Sequence, residues 1–249
     1  MTPTSPDPAA PDSDPGTKGR TIEVQTADGP MPSYLCTPPS GTGPGIVLVQ
    51  EIFGVGDYIR DRAADLAALG YVVLAPEVYW RLPESGIDPE GDVLAQAMGL
   101  VQQVDWELAV SDVSAAVEHV RGMIEVDGGV GLLGFCFGGG LAFNVAAVTP
   151  VDVLVSYYGS ALPGLLGLAE RVTTPSLHHF GTADAYIATE AQDAIRAAVT
   201  ANGARFETYD GANHAFDNPS PMFHHAEASV AAWAETVQFL AEHLGGSRV

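Results

Sequence analysis

The chain of 249 residues predicts an α/β fold. Its core is a mostly parallel central sheet of about eight strands with helices on both faces. Three observations lead there. Apolar runs such as Gly45-Ile46-Val47-Leu48-Val49 and Val130-Gly131-Leu132-Leu133 read as strands buried on both faces. Amphipathic segments of helical period stand between them. The alternation has no internal repeat and no evident break, which favours one layered domain over 20–249.

Taken in order, residues 1–19 carry prolines at 3, 6, 8, 11 and 15 and no apolar core. They read as a disordered tail, neither signal peptide nor anchor. Thr21–Thr26 alternates Ile22 and Val24 with Glu23 and Gln25. Ser33–Thr37 runs back after the Asp28-Gly29-Pro30 turn, giving an antiparallel hairpin. The apolar run 45–49 ends in Gln50-Glu51-Ile52-Phe53-Gly54. Tyr58–Leu69 is a helix burying Ile59, Ala63, Leu66 and Ala67, and Gly70 stops it. Tyr71–Ala75 is a buried strand. Residues 81–105 form an excursion rich in Pro and Gly, helical near Val93–Met98, of a length that shapes binding sites.

Trp106–Met123 is a helix with Leu108, Val113, Val117 and Val120 inward. Strands follow at Val151–Tyr157, Pro175–Phe180 and Arg205–Tyr209. A short helix or loop occupies 160–171, and Ala188–Ala201 is a helix. Phe223–Leu244 closes the chain, with Ala226, Val230, Trp233, Val237, Leu240 and Leu244 on its expected buried side.

Composition narrows the function. Net charge is −21, and Lys18 is the only lysine. Such a chain repels nucleic acid and anionic membrane surfaces. A lysine confined to the tail argues against Schiff-base chemistry. Two cysteines, Cys36 and Cys136, make no disulfide framework. The expected setting is cytoplasmic and reducing, where a free thiol persists. Cys36, in an alternating run, reads as a packed thiol.

Cys136 is different. Gly134-Phe135-Cys136-Phe137-Gly138 spells G-x-C-x-G between an apolar strand and the small-residue helix Leu141–Ala147. That is the pattern of a nucleophile elbow with sulfur in place of the usual hydroxyl. The sharp turn pushes one side chain out at the carboxyl end of a sheet and needs flanking residues without bulk. The helix start beside it offers free N–H groups and a positive dipole end, which favour thiolate. Competing readings of the stretch are a buried structural cysteine and a membrane span, since 128–151 carries no charge. The glycines at 138–140 break that run. Gly129–Gly134 also spells G-x-G-x-x-G, but its glycines precede the strand residues, so it is not a dinucleotide turn.

Cys136, Asp184 and His214 each lie just past an expected strand end, and such ends share one edge of a parallel sheet. Nucleophile, acid, histidine is the chain order of the α/β-hydrolase fold. The base must reach the nucleophile, and the acid must hold the base's tautomer. The seven histidines include His178 and His179 in a strand and His224 and His225 at a helix start. These read as structural or surface groups, and no H-x-x-x-H spacing makes a metal site with His214. A non-catalytic ligand-binding protein of the same fold is the alternative from another class.

The chain resembles the dienelactone hydrolase family over essentially all of residues 20–245. The resemblance rests on Gln50-Glu51-Ile52-Phe53-Gly54-Val55, Ile59-Arg60-Asp61, Gly70-Tyr71, Ala75-Pro76-Glu77-Val78-Tyr79, the elbow with Gly139, Tyr157-Tyr158-Gly159, and the turns Gly181–Asp184 and Gly211–Phe216. It implies a cofactor-free, metal-free enzyme that opens an unsaturated lactone through an acyl-thioester. Cys136 would be nucleophile, His214 base and Asp184 orienter. Glu51 would engage the thiol or its histidine at rest. The backbone N–H groups of Ile52 and Phe137 would form the oxyanion hole. Arg81 and Tyr157 would face the substrate. The implied partner is a small lactone or ester, and the implied form a monomer or small homo-oligomer. One departure stands out. The family's second carboxylate-binding arginine falls four residues after the catalytic histidine, and here that position is Asn218, preceded by Asp217. An esterase or thioesterase acting on another small substrate is therefore the alternative within the class.

Overall fold

The computed structural model describes residues 18–245. The expected tail lies outside them except at its end. Lys18 and Gly19 already pair with Thr37 and Cys36, so the first strand starts inside the stretch expected to be tail. Strands β1 (Lys18–Thr26) and β2 (Gly29–Thr37) form the expected hairpin. They are followed by β3 (Gly43–Val49), α1 (Asp57–Ala68), β4 (Val72–Pro76), α2 (Val93–Val101), α3 (Trp106–Arg121), β5 (Val126–Phe135) and α4 (Phe137–Ala146). The rest is β6 (Val153–Tyr157), two 3-10 turns over Leu162–Arg171, β7 (Ser176–Gly181), α5 (Thr189–Thr200), β8 (Arg205–Tyr209) and α6 (Ala226–His243).

The eight strands make one sheet in the order β1-β2-β4-β3-β5-β6-β7-β8. β1, β2 and β4 pair antiparallel, and every pair from β4 through β3 to β8 is parallel. From β3 the chain goes outward to β4, then crosses back to β5 on the other side. The carboxyl ends of β3 and β5 therefore flank a topological switch point, where open α/β sheets form their crevice.

The helix boundaries follow from local chemistry. The Asp92 and Asp105 carboxylates accept the N–H groups of Ala95 and Leu108, capping α2 and α3. Gly70 ends α1 with φ 102°. Ile59, Ala63, Leu66 and Ala67 are buried as expected, and so are Val113, Val117 and Val120 of α3, whereas Leu108 is exposed. The uncharged run 128–151 is used up by β5 and α4. Among the described residues no helix is long and apolar enough to cross a membrane.

The closing helix corrects the expected face. Val230 is 72% exposed and Ala226 is exposed, while Ser229, Ala232, Thr236, Phe239 and Leu240 are buried. The reason lies in the sheet it covers. Ser229 donates to Asp217, and Thr236 bonds both the Tyr157 hydroxyl and His179. The inward stripe is thus partly polar, and apolar periodicity alone misplaces it.

Candidate active site

The elbow forms because the sequence leaves room for it. A Cβ on Gly134 would collide with the Gly138 carbonyl, and one on Gly138 with the Val49 and Gln50 carbonyls. Between them Cys136 adopts φ 53° and ψ −115°. For a residue with a Cβ this is a strained backbone, held by its neighbours. Cys136 donates its N–H to Tyr157 O, and its own carbonyl accepts from Gly139, Gly140 and Ser160. Tyr158 and Ala215 are the other non-glycine residues of positive φ among those described. Both adjoin the same edge, directly after β6 and beside His214.

Asp184 and His214 arrive on the loops after β7 and β8, and each loop is laced. Asp184 Oδ1 accepts the N–H groups of Tyr186 and Ile187. Asn213 Oδ1 accepts those of Ala185 and His214. That leaves Asp184 Oδ2 facing His214 Nδ1 at 2.8 Å, while His214 Nε2 lies 3.0 Å from Cys136 Sγ. All three side chains are buried. Burial by itself would lower the basicity of His214. The hydrogen bonds to Asp184 and Cys136 outweigh it and raise the imidazole pKa to about 10. Tyr158 and Tyr186 pack their rings 5.2 and 5.0 Å from the imidazole and fix its plane.

Glu51, past the end of β3, lines the cavity that holds Cys136 and His214. Burial pushes its carboxyl up to about 8. An Asn218 hydrogen bond and the field of His214 oppose this, and nearby Asp217 adds to it. Oε1 accepts from Asn218 Nδ2 at 2.7 Å, and Oε2 has no partner. The sulfur's partner is His214, and the glutamate's is Asn218. Behind them Asp217 is fully buried in a network. It accepts two hydrogen bonds from Arg62, one from Tyr58 at 2.6 Å and one from Ser229. Neither Arg62 nor Tyr58 has a motif to flag it. The visible signal was only the acid directly before Asn218.

Ile52 and Phe137 border the same cavity. Phe137 is the first residue of α4, so its N–H has no carbonyl one turn earlier to bond. The cavity, of about 130 Å³, is otherwise walled by Phe53, Leu94, Met98, Val101, Ser160, Tyr186, Ala215 and Phe223. It adjoins a larger one of about 590 Å³ that shares Glu51, Phe53, Leu94 and Phe223 with it. From the excursion 81–105, Val93, Leu94, Met98 and Val101 line these two cavities.

Two expected substrate contacts fall elsewhere. Arg81 lines neither cavity. Its guanidinium is gripped by both oxygens of Asp112 on α3, bridges to Asp28 at 2.8 Å and lies over Trp80. A carboxylate some thirty positions on in sequence thus holds it away from Cys136. Tyr157 is fully buried and packs on Phe135 and His179 with its hydroxyl on Thr236, so it is a core residue. His178 and His179 are buried in β7, and His225 caps α6 by accepting the Ala228 N–H. Among the described residues no group of three or more His, Cys, Asp or Glu could hold a metal ion.

Comparison with known proteins agrees with this architecture. The sequence model described as the dienelactone hydrolase family matches residues 31–244. A Pseudomonas sp. protein named carboxymethylenebutenolidase is 36% identical over 226 residues, 90% of this chain and 94% of the relative. A Pseudomonas putida protein of the same name is 34% identical over 224 residues, 88% of this chain and 95% of its own. Among solved structures, a candidate dienelactone hydrolase from Klebsiella pneumoniae superposes with TM-score 0.82 at 26% identity, covering 91% of this chain and 99% of its own. The dienelactone hydrolase from Anabaena variabilis has TM-score 0.69 at 17% identity over 92% of this chain and 99% of its own, a likeness of fold.

Proposed function

The chain belongs to the dienelactone hydrolase family, and we propose that it hydrolyses a small lactone or ester through an acyl-thioester on Cys136, in a reducing, cytoplasmic setting. The observation that carries this reading is the unbroken line of contacts Asp184 Oδ2, His214 Nδ1, His214 Nε2, Cys136 Sγ, with steps of 2.8 and 3.0 Å.

In the first half-reaction the Cys136 proton sits on His214 Nε2, which its bonds to Asp184 and Cys136 make strongly basic, and the sulfur attacks the substrate carbonyl carbon. Asp184 stabilises the imidazolium and fixes the tautomer by holding Nδ1–H. The carbonyl oxygen becomes an oxyanion that accepts from the Ile52 and Phe137 N–H groups. Both are fixed by backbone, so they need no reorganisation as charge develops. The carbon–oxygen bond to the leaving group then breaks, and the imidazolium returns its proton to that oxygen. In a lactone this oxygen stays tethered to the acyl group. In the second half-reaction neutral His214 takes a proton from water, the hydroxide adds to the thioester, and collapse releases the acid and the thiolate. Glu51 lines the same cavity as Cys136 and is neutral through most of the physiological range because burial raises its pKa. It therefore adds little negative field against the thiolate.

The test is hydrolysis of p-nitrophenyl esters and unsaturated lactones by wild type, Cys136→Ala and Cys36→Ala. Cys36 is buried in β2, away from the cavity. The expected result is loss of turnover in the first variant only. Full activity of Cys136→Ala would end the proposal and leave a ligand-binding protein of this fold as the reading.

A further inference from the structure

The geometry points to an uncharged, apolar substrate, a neutral single-ring lactone or the ester of an uncharged acid, seated between α2 and the Phe53–Phe223 pair; this rests on the hydrolase reading given above. Four observations carry it.

First, neither cavity beside Cys136 is lined by an arginine or lysine. The carboxyl and imidazole side chains that do line them are Glu51, Asp57 and the catalytic His214. A substrate carboxylate would enter a low-dielectric site with no fixed cation to meet it, at a large desolvation cost.

Second, the arginines of α1 and Arg81 line neither cavity and have other partners. Arg62 gives three of its bonds to Asp217 and Asp65. Arg81 is held by Asp112 and Asp28. Arg60 donates to the Val55 carbonyl and lies over the Tyr34 ring. Asn218, the polar group aimed at Glu51, offers an amide that is neutral and already spent on that carboxyl.

Third, the mouth is apolar. Val93, Met98, Tyr186 and Met222 line the two cavities, and they are four of the eight exposed large hydrophobic side chains among the described residues. Apolar surface gathered at one opening marks a binding surface for apolar ligands. Leu94, Met98 and Val101 stand at helical spacing on α2, so one face of that helix forms the wall.

Fourth, the inner cavity of about 130 Å³ is close to the ~150 Å³ apolar cavity that accepts benzene. It therefore takes one small ring or a short acyl chain. The larger cavity beside it can receive the leaving group or a longer tail.

A matched pair of substrates tests this: p-nitrophenyl butyrate and mono-p-nitrophenyl succinate. Their acyl chains have the same length and differ in a terminal methyl against a carboxylate. We expect kcat/KM for the butyrate to exceed that for the succinate by about 100-fold or more. Met98→Arg puts a cation on the cavity wall at a position that is 40% exposed, so folding is not endangered. It should narrow the ratio at least about tenfold by raising the succinate rate. Asn218→Arg is the second variant, with folding checked by circular dichroism.

Equal rates, or a succinate preference, that vanish in Cys136→Ala would overturn this inference and leave the hydrolase reading standing. Turnover of neither ester above the Cys136→Ala background would overturn both.

Discussion

Glu51→Gln should make the protein more stable, and increasingly so as pH rises. In the folded state the Glu51 carboxyl titrates at about 8 against an ordinary 4.5, chiefly because it is buried. An acid whose folded pKa is raised favours folding only while it is protonated. Below about pH 4.5 both states carry the proton and the group is neutral to stability. Between 4.5 and 8 the folded state binds a proton that the unfolded state has lost, so stability falls as pH rises. The fall is about 1.4 kcal/mol per unit, reaching about 3 kcal/mol at pH 7 and about 5 kcal/mol above pH 8, for a pKa displaced from 4.5 to 8. Glutamine keeps the shape and can still accept from Asn218 at the Oε1 position, where the bond is 2.7 Å. Its amide replaces an Oε2 that has no partner, so little is lost in exchange. The assay is urea unfolding of wild type and Glu51→Gln at pH 5, 7 and 8.5. The variant's advantage should be under about 1 kcal/mol at pH 5 and grow through 7 to 8.5. An advantage that does not vary with pH would show that Glu51 titrates as an ordinary carboxyl, and a variant uniformly less stable would show that the buried carboxyl does not burden the fold.

Other perturbations have equally definite outcomes. Asp184→Asn should keep the fold, since Oδ1 can still accept the Tyr186 and Ile187 N–H groups. It should also lower kcat by up to about 10,000-fold through the wrong histidine tautomer, measured by steady-state ester hydrolysis. Arg62→Ala strands the fully buried Asp217 carboxylate and should cost about 3–5 kcal/mol in urea unfolding. The double variant Arg62→Ala with Asp217→Asn should recover a large part of that. Gly138→Ala drives a methyl into the Val49 and Gln50 carbonyls. It should destabilise by more than ~3 kcal/mol, or yield a folded protein whose elbow is displaced and whose turnover is lost, seen by thermal melting beside kinetics.

Much of this molecule can be read from its residue order, for reasons that differ between parts. The central strands are legible because a strand covered on both faces must be continuously apolar, as 45–49 and 130–135 are. The line of contacts from Asp184 through His214 to Cys136 is legible because a parallel sheet brings its strand ends to one edge. Three polar residues found at such ends therefore meet without any knowledge of distances. The parts that escape are those decided by a partner far along the chain. Arg81 looks like a free cation until Asp112 of α3 is seen to grip it. Tyr157 looks like a site aromatic until Thr236 takes its hydroxyl. The inner face of α6 escapes because Ser229 and Thr236 are buried for their hydrogen bonds, to Asp217 and to Tyr157 and His179. The pairing of Asn218 with Glu51 joins residues 167 positions apart, and no local pattern encodes it. The strained backbone at Cys136 was implied by its glycines, while that at Tyr158 and Ala215 has no residue-type signal.

If Cys136 carries the acyl group between the two half-reactions, that adduct can be trapped. The most direct measurement is acid quench of the working enzyme with a p-nitrophenyl ester, followed by proteolysis and mass mapping at low pH, where thioesters survive. An acyl adduct is expected on the peptide containing Cys136, none on the peptide containing Cys36, and none anywhere in Cys136→Ala. An adduct on a different residue, or turnover that persists when Cys136 is replaced, would contradict that role of Cys136.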